Sequence, residues 1–117
     1  MDIPKPSGED KARFHDLVPP GTAVEIKPMF GNLAAFVNGN MFMGLFGADI
    51  GVKLPPDGLE EVIAVGGGPF GPPERPMGGY VAVPRSMDDA HVRALASRAL
   101  SYVALMPAKA PKKPKAK

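Results

Sequence analysis

The chain of 117 residues has no cysteine, no tryptophan and only two tyrosines. Without thiols it can form no disulfide, no thiolate metal site and no cysteine nucleophile. It has no long uncharged apolar run of the kind that crosses a membrane as a helix. Its opening, Met1-Asp2-Ile3-Pro4-Lys5-Pro6, lacks the apolar stretch of a secretory signal, so a cytoplasmic location is the expectation. Acidic residues are missing from the last eleven positions, where Lys109, Lys112, Lys113, Lys115 and Lys117 gather. The remaining 106 residues hold 9 basic against 12 acidic side chains. The body is therefore acidic, and the formal net charge of +2 belongs to its end.

In place of these the chain has 15 prolines and 14 glycines. Such residues punctuate a fold at turns and tails, because neither favours a helix interior. A hydrophobic share of 44% with 22% charged residues is that of a globular domain, and the length allows one.

The hydrophobic period identifies the elements. Ser7 caps a helix running to about Val18, with Glu9 and Asp10 in its first turn and Phe14, Leu17 and Val18 on one side. Pro19-Pro20-Gly21 ends it. Val24 and Ile26 then alternate with Glu25 and Lys27 as in a half-buried strand, and Pro28 to Gly31 reads as a turn. Two apolar runs follow, Leu33 to Val37 and Met41 to Phe46, joined by Asn38-Gly39-Asn40. Asn-Gly is a strong hairpin signal because both residues tolerate the positive φ of a type I′ turn. After Gly47-Ala48-Asp49, a fourth strand places Ile50, Val52 and Leu54 in alternation with Gly51 and Lys53.

Asp57 is placed to cap a short helix, Leu59 to Val65, with Leu59, Val62 and Ile63 as its apolar stripe. Gly66 to Gly79, with six Gly and four Pro, is a loop and the expected mobile element. Tyr80 to Val83 forms a short strand. Ser86, with Asp89 three residues on, opens the last helix, whose stripe runs through Val92, Leu95, Ala96, Ala99, Leu100, Val103 and Met106. The order α-β-β-β-β-α-β-α specifies a two-layer α+β domain, an antiparallel meander with helices on one face. Residues 1–6 are read as an extension, 7–106 as the domain, and 107–117 as a disordered Lys/Pro/Ala tail.

Lys27-Pro28-Met29-Phe30-Gly31, the hairpin exit Met41-Phe42 and the strand end Val52-Lys53-Leu54 stand at a spacing that resembles the N-terminal domain of the TfoX/Sxy family. Pro69-Phe70, Met77-Gly78-Gly79-Tyr80, Val83-Pro84 and the final helix extend the likeness over roughly residues 7 to 106. Asn32 and Ala34 stand where family members usually carry glycine. The resemblance implies a stand-alone N-terminal domain without the second, helical domain of the longer members. It implies a non-enzymatic module that works through partners, as the competence regulators do when they assist a transcription activator.

The motifs that could carry chemistry read otherwise in context. Gly66-Gly67-Gly68-Pro69-Phe70-Gly71 satisfies the dinucleotide pattern, yet it follows a helix instead of a strand, and Pro72-Pro73 prevent a helix from opening beneath a phosphate. His15 and His91 lack partners at metal-ligand spacing. Glu60 and Glu61 are adjacent on a helix and do not converge. No serine sits in a nucleophile-elbow frame. No catalytic residue, cofactor or metal is expected.

The meander concentrates methionine and phenylalanine, and the strand Met41 to Phe46 is apolar on both faces, although a sheet with helices on one side is normally polar on the other. Something should cover the second face. The expected partner surface comprises Met41, Phe42, Met43 and Phe46 with Lys53, for a homodimer or a protein partner. The lysine tail offers the alternative, weak nonspecific contact with nucleic acid. It has no aromatics on which bases could stack.

Overall fold

A computed structural model describes residues 4–21, 23–29, 31–72 and 74–107. The tail lysines, Lys109 to Lys117, and Phe30 lie outside the described residues. The elements are α1 (Gly8–Leu17), β1 (Val24–Met29), β2 (Asn32–Val37), β3 (Asn40–Phe46), β4 (Asp49–Lys53), α2 (Pro56–Ala64), β5 (Tyr80–Ala82) and α3 (Asp89–Ala104). The five strands pair antiparallel in chain order, and the α+β meander is as expected.

Local chemistry accounts for each joint. Ser7 and Asp10 form a reciprocal capping box at the start of α1. Asn38 and Gly39 both take positive φ, 53° and 79°, and close the β2–β3 hairpin with Val37 opposite Asn40. At the end of α2 the N–H of Gly67 donates to the carbonyl of Val62, and that of Gly66 to Ile63, a Schellman closure.

Three expectations are corrected. β1 runs on through Pro28, which pairs with Leu33 where a turn was expected. β1 is an edge strand, so a missing N–H disturbs no neighbour. α2 begins at Pro56, with Pro55 at its N-cap and no side-chain cap; the fixed φ of proline suits the first helical position, and Asp57 accepts instead from the N–H of Gly58. The cap of α3 is Asp88, not Ser86, and its carboxylate accepts from the N–H of His91. Ser86 belongs to the preceding turn, in which the N–H of Met87 donates to Pro84.

The core lies between the sheet and α3. Val92, Leu95, Ala96, Ala99 and Val103 face the sheet, and the two alanines let the helix sit close to it. Flanking helices brace α3 from both sides. Arg13 of α1 pairs with Asp89 at 3.0 Å and Arg93 pairs with Asp16, while Glu61 of α2 pairs with Arg98 at 3.0 Å.

Residues before α1 are not a free extension as far as they are described. Asn32 is 4% exposed, and its amide donates to the carbonyl of Pro4 at 3.0 Å while its carbonyl accepts from the N–H of Gly47 at 2.8 Å. A side chain standing where the resembled family carries glycine thus ties the N-terminal segment to the β3–β4 turn.

Candidate functional site

The two faces of β3 differ from simple alternation because the strand carries a bulge. Ala35 pairs with Met43 and the next residue, Phe36, with Met41, so Phe42 is supernumerary. Phe42 and Met43 both join the helix-side core at 0% exposure. They are therefore removed from the expected partner surface. Met41 and Phe46, together with Lys53, reach the opposite, outer face and are half-buried there.

That outer face is covered in part by the chain itself. Gly44 of β3 and Gly51 of β4 are direct partners in the ladder and leave a shallow depression. Phe70, from the loop between α2 and β5, lies in it at 3% exposure. A Cβ on Gly51 would fall within its ring, and one on Gly44 would approach ring carbons to 3.2 Å. Phe46 meets Phe70 edge-on, with centroids 6.2 Å apart, and Tyr80 flanks it at 6.3 Å.

The loop is fastened at both ends of this contact. Gly68 bridges Ala82 with two hydrogen bonds, and the N–H of Met77 donates to the carbonyl of Phe70 at 2.9 Å. The element expected to be mobile is anchored through its one aromatic residue.

Around the plug the side chains form a mosaic of aromatic, methionine and cationic groups. The hydroxyl of Tyr80 donates to the carbonyl of Met41 at 2.9 Å, and burial raises the Tyr80 pKa above that of a free phenol. The ammonium of Lys53 lies 4.9 Å from the centre of the Tyr80 ring, and that of Lys27 lies 5.5 Å from the centre of Phe36. Both lysines keep their stems on aromatic surface and their charge toward water.

The residues that the sequence set aside stay apart. His15 is exposed on α1, and His91 contacts Asp88 at 2.8 Å. Glu61 is engaged with Arg98. Among the described residues no three His, Asp or Glu side chains converge as metal ligands, and no helix is long and apolar enough to cross a membrane.

Phe70 and the bulge are what sequence reasoning missed. The signal for the first was present: counting outward from the Gly47-Ala48 turn places Gly44 opposite Gly51, and two facing glycines in central strands mark a close approach by something bulky. Nothing in the sequence announces the bulge.

An open meander backed by three helices, with an aromatic plug on its far side, defines a small α+β domain whose outer surface is a side-chain mosaic. The chain belongs to the TfoX N-terminal domain family, whose model matches residues 16–103. No curated protein and no solved structure matches it.

Proposed function

We propose that the chain is a non-enzymatic binding module that acts through a protein partner. As in the competence regulators whose N-terminal domain it resembles, that partner belongs to the transcription machinery. The observation that carries this reading is the family match, which spans the whole sheet, α2 and nearly all of α3. The outer face supports it. Met41 and Phe46 are adaptable or aromatic, half-buried, and flanked by Lys53, a composition suited to protein contact.

The charge partition favours one second reading. An acidic body with five lysines at its end could bind nucleic acid electrostatically through that end. Reconstituted transcription from an activator-dependent promoter separates the two. With the partner reading, the full chain raises the transcript yield, Lys53→Glu lowers that effect, and a variant with all five tail lysines changed to Gln retains it. With the electrostatic reading, the chain alone binds duplex DNA with a log–log salt slope of about −4.5, and the Gln variant loses both binding and effect. No change in transcription from any form overturns the partner reading.

A further inference from the structure

The sheet face is partly covered, and the large apolar side chains left in water lie elsewhere. Among the described residues Ile63 is 55% and Val65 61% exposed, within three positions at the end of α2. Ile63 was expected in the buried stripe, but Gly58 takes that place against Leu54 and Arg98, and Ile63 turns outward.

These two residues border a trough between α2 and the first half of α3. One pocket of about 320 Å³ has Val62, Val65, Met87, Ala94 and Leu95 as its apolar lining. A second, of about 350 Å³, shares Val65, Met87 and His91 with it and continues past Pro84 to Asp88. From Asp88 to Arg98 the trough follows α3 for about 15 Å, the length of roughly three helical turns.

The charges around it have one sign to spare. α2 carries Asp57, Glu60 and Glu61 and no basic residue, and its carbonyl end, beside Val65, has no cation. The start of α3 adds Asp88 and Asp89. The arginines on these elements and next to them are matched already: Arg98 to Glu61, Arg85 to Asp49, and Arg93 to Asp16. What remains is an apolar floor with an acidic rim.

We infer that this trough is a docking site for an amphipathic helix of a protein partner, one that carries Lys or Arg beside its apolar stripe. Helix-in-groove recognition places apolar anchors at i, i+3, i+4 and i+7, and here Val62, Val65, Met87 and Leu95 would receive them. The flanking cations would meet Glu60, Glu61, Asp88 and the end of α2. The chain's own tail supplies the charge but only alanine and proline as apolar groups, so it cannot fill the floor. The inference rests on the partner reading above but uses a different surface from the sheet face.

The test uses the full-length, isotope-labelled chain and two synthetic 18-residue peptides. Both carry a leucine stripe at helical spacing, flanked in one by lysines and in its twin by glutamates. The lysine peptide is expected to bind and to perturb the amide signals of Val62, Val65, Met87 and Leu95. The twin should bind about tenfold more weakly or not at all, and Val65→Lys should weaken the lysine peptide by about tenfold at an unchanged melting temperature. Lys53→Met, on the sheet face, should leave it unchanged. Equal binding of the two peptides, or perturbations confined to the sheet face, overturns the proposal. So does self-association of the free chain that Val65→Lys abolishes, which would assign the trough to a second copy. Tighter binding after all five tail lysines are changed to Gln would assign it to the tail and overturn the proposal too. None of these outcomes depends on the transcription assay, so either reading can fail alone.

Discussion

The ring of Phe70 occupies the space that a side chain on Gly51 would need. The two residues lie 19 positions apart, one in a proline-rich loop and the other in the middle of β4, and neither can change without the other.

Gly51→Ala should therefore destabilise the domain by about 1–3 kcal/mol through overpacking. Phe70→Ala should cost about 3–5 kcal/mol by removing a buried aromatic. The two effects should not add. With the ring gone, alanine at position 51 should cost close to nothing, and a double-mutant cycle by denaturant unfolding reads the coupling directly.

The bulge makes a sharp contrast between neighbours on one strand. Phe42→Ala should cost about 3–5 kcal/mol, because Phe42 is wholly enclosed by the core. Met41→Ala, one residue away on the outer face, should cost less than about 1 kcal/mol. Strict alternation would set Met41 and Met43 on one face and Phe42 on the other; comparable losses at 41 and 43, with little at 42, would restore it.

Tyr80 predicts a pH effect at the alkaline end. Burial raises its folded pKa above that of the unfolded phenol, so the folded state holds the proton longer. Its contribution to stability is fully present below about pH 10 and declines as the pH rises toward and through the folded pKa. Tyr80→Phe should remove this alkaline decline and, by losing the bond to the Met41 carbonyl, cost about 1 kcal/mol at neutral pH. Absorbance titration of the phenolate and unfolding at a series of alkaline pH values check both.

Asp88 predicts the opposite dependence. The backbone N–H of His91, and then its side chain, hold the Asp88 carboxyl below the usual carboxylate range. A depressed folded pKa gives stability that is complete above the unfolded value, near 4, and is lost as the pH falls through the folded one. Asp88→Asn should keep the cap and lose the acid dependence, whereas Asp88→Ala should lose the cap at every pH. Thermal unfolding between neutral and strongly acidic pH distinguishes the three forms.

The fold was legible where periodicity and turn chemistry agree. Asn38-Gly39 placed the central hairpin, and the spacing of Val92, Leu95, Ala99 and Val103 placed the last helix. Both signals are local. The errors came where a longer-range contact decided the outcome. Pro28 is acceptable in a strand only because β1 is an edge, which no local window shows. Ile63 turns outward because Gly58 lets α2 approach Leu54 and Arg98. The expected partner surface was half right in its residues for the same reason: apolar composition marked β3, but only the register tells which of its side chains reach the outside.

Both lateral margins of the sheet are stoppered. Pro28 removes a donor from the rim of β1, and Gly68 satisfies Ala82 on the rim of β5. The molecule is thus poorly suited to recruit another chain by strand addition, and its recognition must be written in side chains. The same stoppers make it a good candidate for fusion in tandem at high concentration, since its copies have no ribbon to extend into one another.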